Sequence, residues 1–142
     1  MEDLQRLGAK SVPVVSMGDK FIFAQVIRDV VEFLELDEDP APELSPEELA
    51  ERFKEILKTA VSLVHQFPDV SLNNELHNRP RSWKVLLHHV FQIPKAFLDH
   101  EEKNLEYTYE MMTASPPENL KTSEDIANFG KEISKRFSYW WQ

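Results

Sequence analysis

A chain of 142 residues with 42% hydrophobic content can bury a core, and suits one ordinary domain or a small element joined to a helical one. Its formal net charge of -9 makes nucleic acid and anionic membrane surfaces poor partners, because phosphate binding needs a basic patch. The absence of cysteine excludes disulfides, thiolate zinc sites and any dithiol redox cycle carried by these residues.

The chain opens without an apolar leader, and no apolar run approaches the ~20 residues that a membrane span requires. A cytoplasmic protein is the expectation. Leu4 and Leu7 before Gly8 read as the last turn of a helix with a glycine stop. Val12, Val14 and Val15 form a short β-branched run interrupted by Pro13. Met17-Gly18-Asp19-Lys20 is turn chemistry, and Phe21-Ile22-Phe23 makes the returning strand of a hairpin. Val26, Ile27, Val30, Val31, Phe33 and Leu34 then recur at helical spacing. Residues 37–44 alternate acids with Pro40 and Pro42 and read as an extended linker.

Residues 45–142 read as a helical domain. Ser45 can cap, Pro46 suits the first helical position, and Glu48 can complete a capping box. An apolar stripe of Leu49, Phe53, Ile56, Leu57, Ala60 and Val64 follows, ending near Phe67-Pro68. Residues 70–80 form a connection longer than most between helices. Residues 82–100 form a second long helix with Trp83, Leu86, Leu87, Val90, Ile93 and Phe97 on its apolar face, and Pro94 is expected to kink it. Residues 101–112 read as irregular or weakly helical, and 113–119 as a loop. Thr122-Ser123-Glu124-Asp125 starts a third helix with the stripe Ile126, Phe129, Ile133, Phe137 and Trp140. The fold class is therefore α+β, predominantly helical, with about three long helices.

The segment Gly8-Ala9-Lys10-Ser11-Val12-Pro13-Val14-Val15, followed by Met17-Gly18-Asp19-Lys20-Phe21, resembles the back half of a glutaredoxin. The resemblance covers about residues 4–36. It implies a thioredoxin-like strand-strand-helix element in which Pro13 follows a cis bond and Val12-Pro13 offers backbone to a glutathione-type ligand. The upstream half that carries the family's cysteines is expected to be missing. Val26, where the family's last helix begins, offers no polar cap for an anion.

The run Arg81-Ser82-Trp83-Lys84-Val85-Leu86-Leu87-His88-His89-Val90-Phe91 resembles the second helix of the DinB-like superfamily. These are four-helix bundles, many holding a divalent metal through three histidines, and several relatives are thiol-dependent transferases or isomerases. The resemblance covers about residues 45–142 and implies His89 as the first ligand for zinc or nickel. The family's histidine pair on a fourth helix has no counterpart here. At about 100° per residue, a face centred near Val90 and Leu86 puts His89 on the flank of the core and His88 in solvent.

Phe137, Tyr139, Trp140 and Trp141 crowd the end of the third helix and read as an interface. A three-helix bundle without a fourth member leaves an apolar groove that a second copy could fill, so a homo-oligomer is expected. The chain as a whole resembles a glutaredoxin–DinB fusion lacking its redox front and its metal-bearing last helix. Two functions follow. One is a non-catalytic binding or self-association module related to such fusions, with no cofactor. The other is a divalent-metal-dependent, thiol-linked transferase completed by another chain.

Overall fold

A computed structural model describes residues 2–9, 12–41 and 43–142. Lys10 and Ser11 of the residue 8–15 segment, and Pro42 of the expected linker, lie outside the described residues. The protein is α+β and mainly helical. It divides into two compact units, one ending at Ser45 and the other starting at Pro46. No helix among the described residues is long and apolar enough to cross a membrane.

The first unit is a helix, a hairpin and a helix: α1 (Glu2–Leu7), β1 (Val14–Met17), β2 (Lys20–Phe23) and α2 (Ile27–Phe33). Gly8 closes α1 at φ +73, and Ala9 N–H donates to the Leu4 carbonyl at 2.9 Å, the glycine-stop geometry expected there. β1 and β2 pair antiparallel with Val14 opposite Phe23 and Met17 opposite Lys20. Gly18 takes φ +62 in the two-residue turn between them. The Val12–Pro13 peptide bond is cis. Val26 precedes α2 without a side-chain cap. No described residue of this unit is fully buried, as expected for so small a hairpin and helix.

The second unit holds the core. α3 (Pro46–His65) leads through a 3-10 turn (Asp69–Ser71) to a short hairpin, β3 (Glu75–Leu76) and β4 (Arg79–Ser82). Then follow α4 (Trp83–Lys103), α5 (Tyr109–Met112) and α6 (Ser123–Trp140). α6 packs against both α3 and α4, which touch each other far less. The buried side chains are Leu57, Val61 and Val64 from α3, Phe91 and Leu98 from α4, and Ile126, Ile133 and Phe137 from α6. α3 and α6 run antiparallel, since Phe53 meets Phe137 near one end and His65 meets Glu124 at the other.

The helix ends are locally determined. Thr122 and Asp125 form a reciprocal capping box at α6: the Thr122 hydroxyl accepts from Asp125 N–H at 3.1 Å, and the Asp125 carboxylate accepts from Thr122 N–H at 2.8 Å. The Lys121 N–H, and then the Thr122 N–H, donate to the Asp125 carboxylate and hold it below its ordinary value. Thr122→Ala is expected to cost about 1 kcal/mol, read as a lower urea midpoint at unchanged slope. α4 starts on Ser82, whose hydroxyl accepts from Val85 N–H at 3.3 Å. The next free amides of that helix donate to the preceding loop, Trp83 to the Asn74 carbonyl and Lys84 to the Leu72 carbonyl.

Three expectations need correction. Residues 70–80 are not a plain connection, because they contain most of the β3–β4 hairpin. α3 buries Ala50, Leu57, Val61 and Val64, while Leu49 and Ile56 stay 45% and 60% exposed. α4 is rotated from the expected face: it buries His88, Phe91, Gln92, Leu98 and Asp99, and leaves Val90 and Ile93 about 40% exposed. The cause is that α4 carries two apolar rows. The row through Leu87, Phe91 and Leu98 meets α6, and two of its polar members find partners, Gln92 in α5 and Asp99 in α6.

Candidate functional site

His88 departs from the expectation that it points into solvent. His88 is buried, with 2% of its surface exposed, and its ring stacks on Phe129 at 5.2 Å and 15°. His89 is half-buried. Burial first, and then the electrostatic influence of His89, Lys95 and Lys84, hold the His88 imidazole below its ordinary value. It is therefore neutral, and its Nδ1 has no hydrogen-bond partner. A metal needs convergent ligands. His65 pairs with Glu124 at 2.9 Å, His100 Nδ1 pairs with the Leu105 carbonyl, and His77 lies in the β3–β4 turn. Among the described residues no group of three His, Cys, Asp or Glu side chains could hold a metal ion.

Polar groups on the buried face of α4 are otherwise matched. The Gln92 side-chain amide donates to the Met111 carbonyl of α5 at 2.6 Å. Asp99 accepts from Lys95 and Lys103, one turn away on either side, and from Arg136 of α6 at 3.0 Å. Arg136 also donates to Glu102 at 2.6 Å. Burial alone would raise the Asp99 carboxyl, but the three cations outweigh it and hold the group far below the usual carboxylate range. This cluster joins α4 to α6 and gives no sign of proton-transfer chemistry.

Val12 and Pro13 are exposed in the first unit, and the Pro13 carbonyl accepts from Ala24 N–H at 3.0 Å. That carbonyl therefore serves the hairpin. Of the four closing aromatics, Phe137 is a core residue rather than a surface one. Trp140 and Trp141 are half-buried against it, and only Tyr139 stands out, at 80% exposed. Phe53 lies edge-on to Phe137 at 4.7 Å, Phe97 edge-on to Trp140 at 5.0 Å, and Trp141 parallel to Phe137 at 6.5 Å. These rings, with Leu49, line an almost wholly apolar pocket of about 460 Å³.

Next along α3 the apolar surface continues. Leu49, Ile56 and Leu63 recur at seven-residue intervals and are 45%, 60% and 61% exposed. Ile56, Ala60 and Leu63 face Val90 of α4 across a groove of about 580 Å³ rimmed by Arg52 and Glu55. The apolar spacing places Leu49, Ile56, Ala60 and Val90 on core faces, and Leu63 falls outside the stripe it picks out. Their spacing was the available signal: a strict seven-residue row beside a second buried row marks a helix with two apolar faces.

Compared with protein families, curated sequences and solved structures, the chain shows no match.

Proposed function

We propose that the chain is a non-catalytic binding or self-association module, related to glutaredoxin–DinB fusion proteins of thiol metabolism, and that a second copy covers the groove between α3 and α4. The carrying observation is the exposed row Leu49, Ile56 and Leu63, with Val90 of α4 across the groove. Large apolar side chains in one continuous strip are costly in water, and each stabilises an interface by about 1.5–3 kcal/mol when fully covered. The row is symmetric about Ile56. An antiparallel copy sets Ile56 against Ile56 and Leu49 of one chain against Leu63 of the other, as a two-fold interface requires.

The resemblance of residues 4–36 and 45–142 to the two families supports descent from a thiol enzyme. A metal-dependent transferase would need ligands beside His89 from another chain. The test is sedimentation of the purified chain over a concentration series. The wild type is expected to reach twice the chain mass, and Ile56→Glu with Leu63→Glu to stay at the chain mass with unchanged helical circular dichroism. A wild type that stays monomeric, or a double variant that still dimerises, overturns the proposal.

A further inference from the structure

On the other side of α3 the surface changes sign. Residues two apart on a helix point about 200° away from each other, so Lys58 faces away from Ile56. There α3 and α6 enclose a cleft of about 430 Å³ lined by Lys54, Lys58, Lys131 and Lys135. The rest of the lining is Val61 and three serines, with no carboxylate among it. This is anomalous for a chain with 25 acidic and 16 basic residues, where a random patch should be acidic.

The two outer lysines are committed. Lys54 pairs with Glu51 at 2.7 Å, and Lys131 pairs with Asn128 at 3.1 Å and lies 3.8 Å from Glu124. The two central ones are not: among the described residues, Lys58 and Lys135 make no ion pair. The Ser62 and Ser138 hydroxyls donate to carbonyls one turn back in their own helices. Ser134, half-buried in the cleft, has its hydroxyl uncommitted among the described residues.

From this geometry we infer that the α3–α6 cleft binds a small polyvalent phosphate, a di- or triphosphate group, through Lys58 and Lys135 with the Ser134 hydroxyl as an added donor. Each helix contributes lysines four residues apart, so the ammonium groups are rooted about 6 Å apart along each axis. Flexible lysine stems can converge from there on one compact anion as point charges. A long polyanion is disfavoured, since leaving the cleft it would meet the acidic remainder of the surface. The inference does not depend on self-association, which uses the opposite face of α3.

The test is calorimetric titration of the full chain with inorganic pyrophosphate at fixed ionic strength, with sulfate as the control. One saturable site for pyrophosphate is expected, with sulfate far weaker. Lys58→Gln with Lys135→Gln should weaken pyrophosphate about tenfold or more, since each removes a charge-assisted contact. Lys20→Gln with Lys121→Gln, which removes two exposed charges elsewhere, should leave it unchanged. No saturable binding, equal response to sulfate, or equal loss in both double variants overturns the inference. Circular dichroism of each variant separates loss of the site from loss of the fold.

Discussion

Gly130→Ala is expected to destabilise the helical unit by on the order of 2 kcal/mol, although alanine is the better helix former by about 1 kcal/mol. Gly130 lies within α6 at its crossing with α4. A methyl group there would sit 2.5 Å from Phe91 Cζ, 2.6 Å from Cε1 and 2.8 Å from Cε2, far inside van der Waals contact. The ring cannot swing away cheaply, because Phe91 is fully buried and lies edge-on to Phe129 at 6.4 Å. Overpacking of this kind costs about 1–3 kcal/mol, and so close an approach calls for the top of that range or beyond. Phe91→Ala should itself cost about 3–5 kcal/mol through lost burial and the cavity left behind. The double variant decides the cause. If the ring is what the methyl meets, the vacated space accepts it, and the combined loss falls well short of the sum. Additivity within about 0.5 kcal/mol in urea titrations would mean that the close approach of α4 and α6 is not what selects glycine.

That contact also shows what was legible beforehand. Signals within a few residues were readable: the Gly18 turn, the glycine stop at Gly8, the start of α3 at Pro46 and the Thr122 cap. The stripe Ile126, Ile133 and Phe137 of α6 was also readable, because that helix has one apolar row. α4 has two, and the fully apolar one was the natural candidate for the core. The structure buries the other row despite His88, Gln92 and Asp99. Gln92 finds a carbonyl in α5, and Asp99 finds Arg136, 37 residues away. The Lys95, Asp99, Lys103 spacing hinted at a carboxylate held between two lysines, but nothing local announced the arginine. The β3–β4 hairpin was hidden for another reason. Its strands, Glu75-Leu76 and Arg79-Pro80-Arg81-Ser82, have no alternation of apolar residues. The lysine cleft needed the antiparallel pairing of α3 with α6, and overall charge argued against looking for it.

His88→Phe is expected to leave the protein as stable as the wild type or more so at pH 7.5, and clearly more stable than it at pH 5.5. In the folded protein burial holds the imidazole below its ordinary value, near 6.5. Below about pH 6.5 the unfolded chain gains a proton that the folded chain refuses, so stability falls as pH drops. The slope approaches about 1.4 kcal/mol per pH unit for one proton, and ends where the folded imidazole itself titrates. Above about pH 6.5 the group is neutral in both states and contributes no slope. Asp99 acts in a separate window: its carboxyl is depressed, so its contribution is intact above the ordinary value of 3.8 and is lost as pH falls below it. Phenylalanine keeps the stacking on Phe129 and removes an Nδ1 that has no partner, a burial that itself costs about 1–3 kcal/mol. His89→Gln is the control, since that neighbour is half-buried. Urea midpoints at the two pH values should converge for His88→Phe and stay apart for His89→Gln. The opposite pattern would move the acid sensitivity to His89 and leave His88 as packing alone.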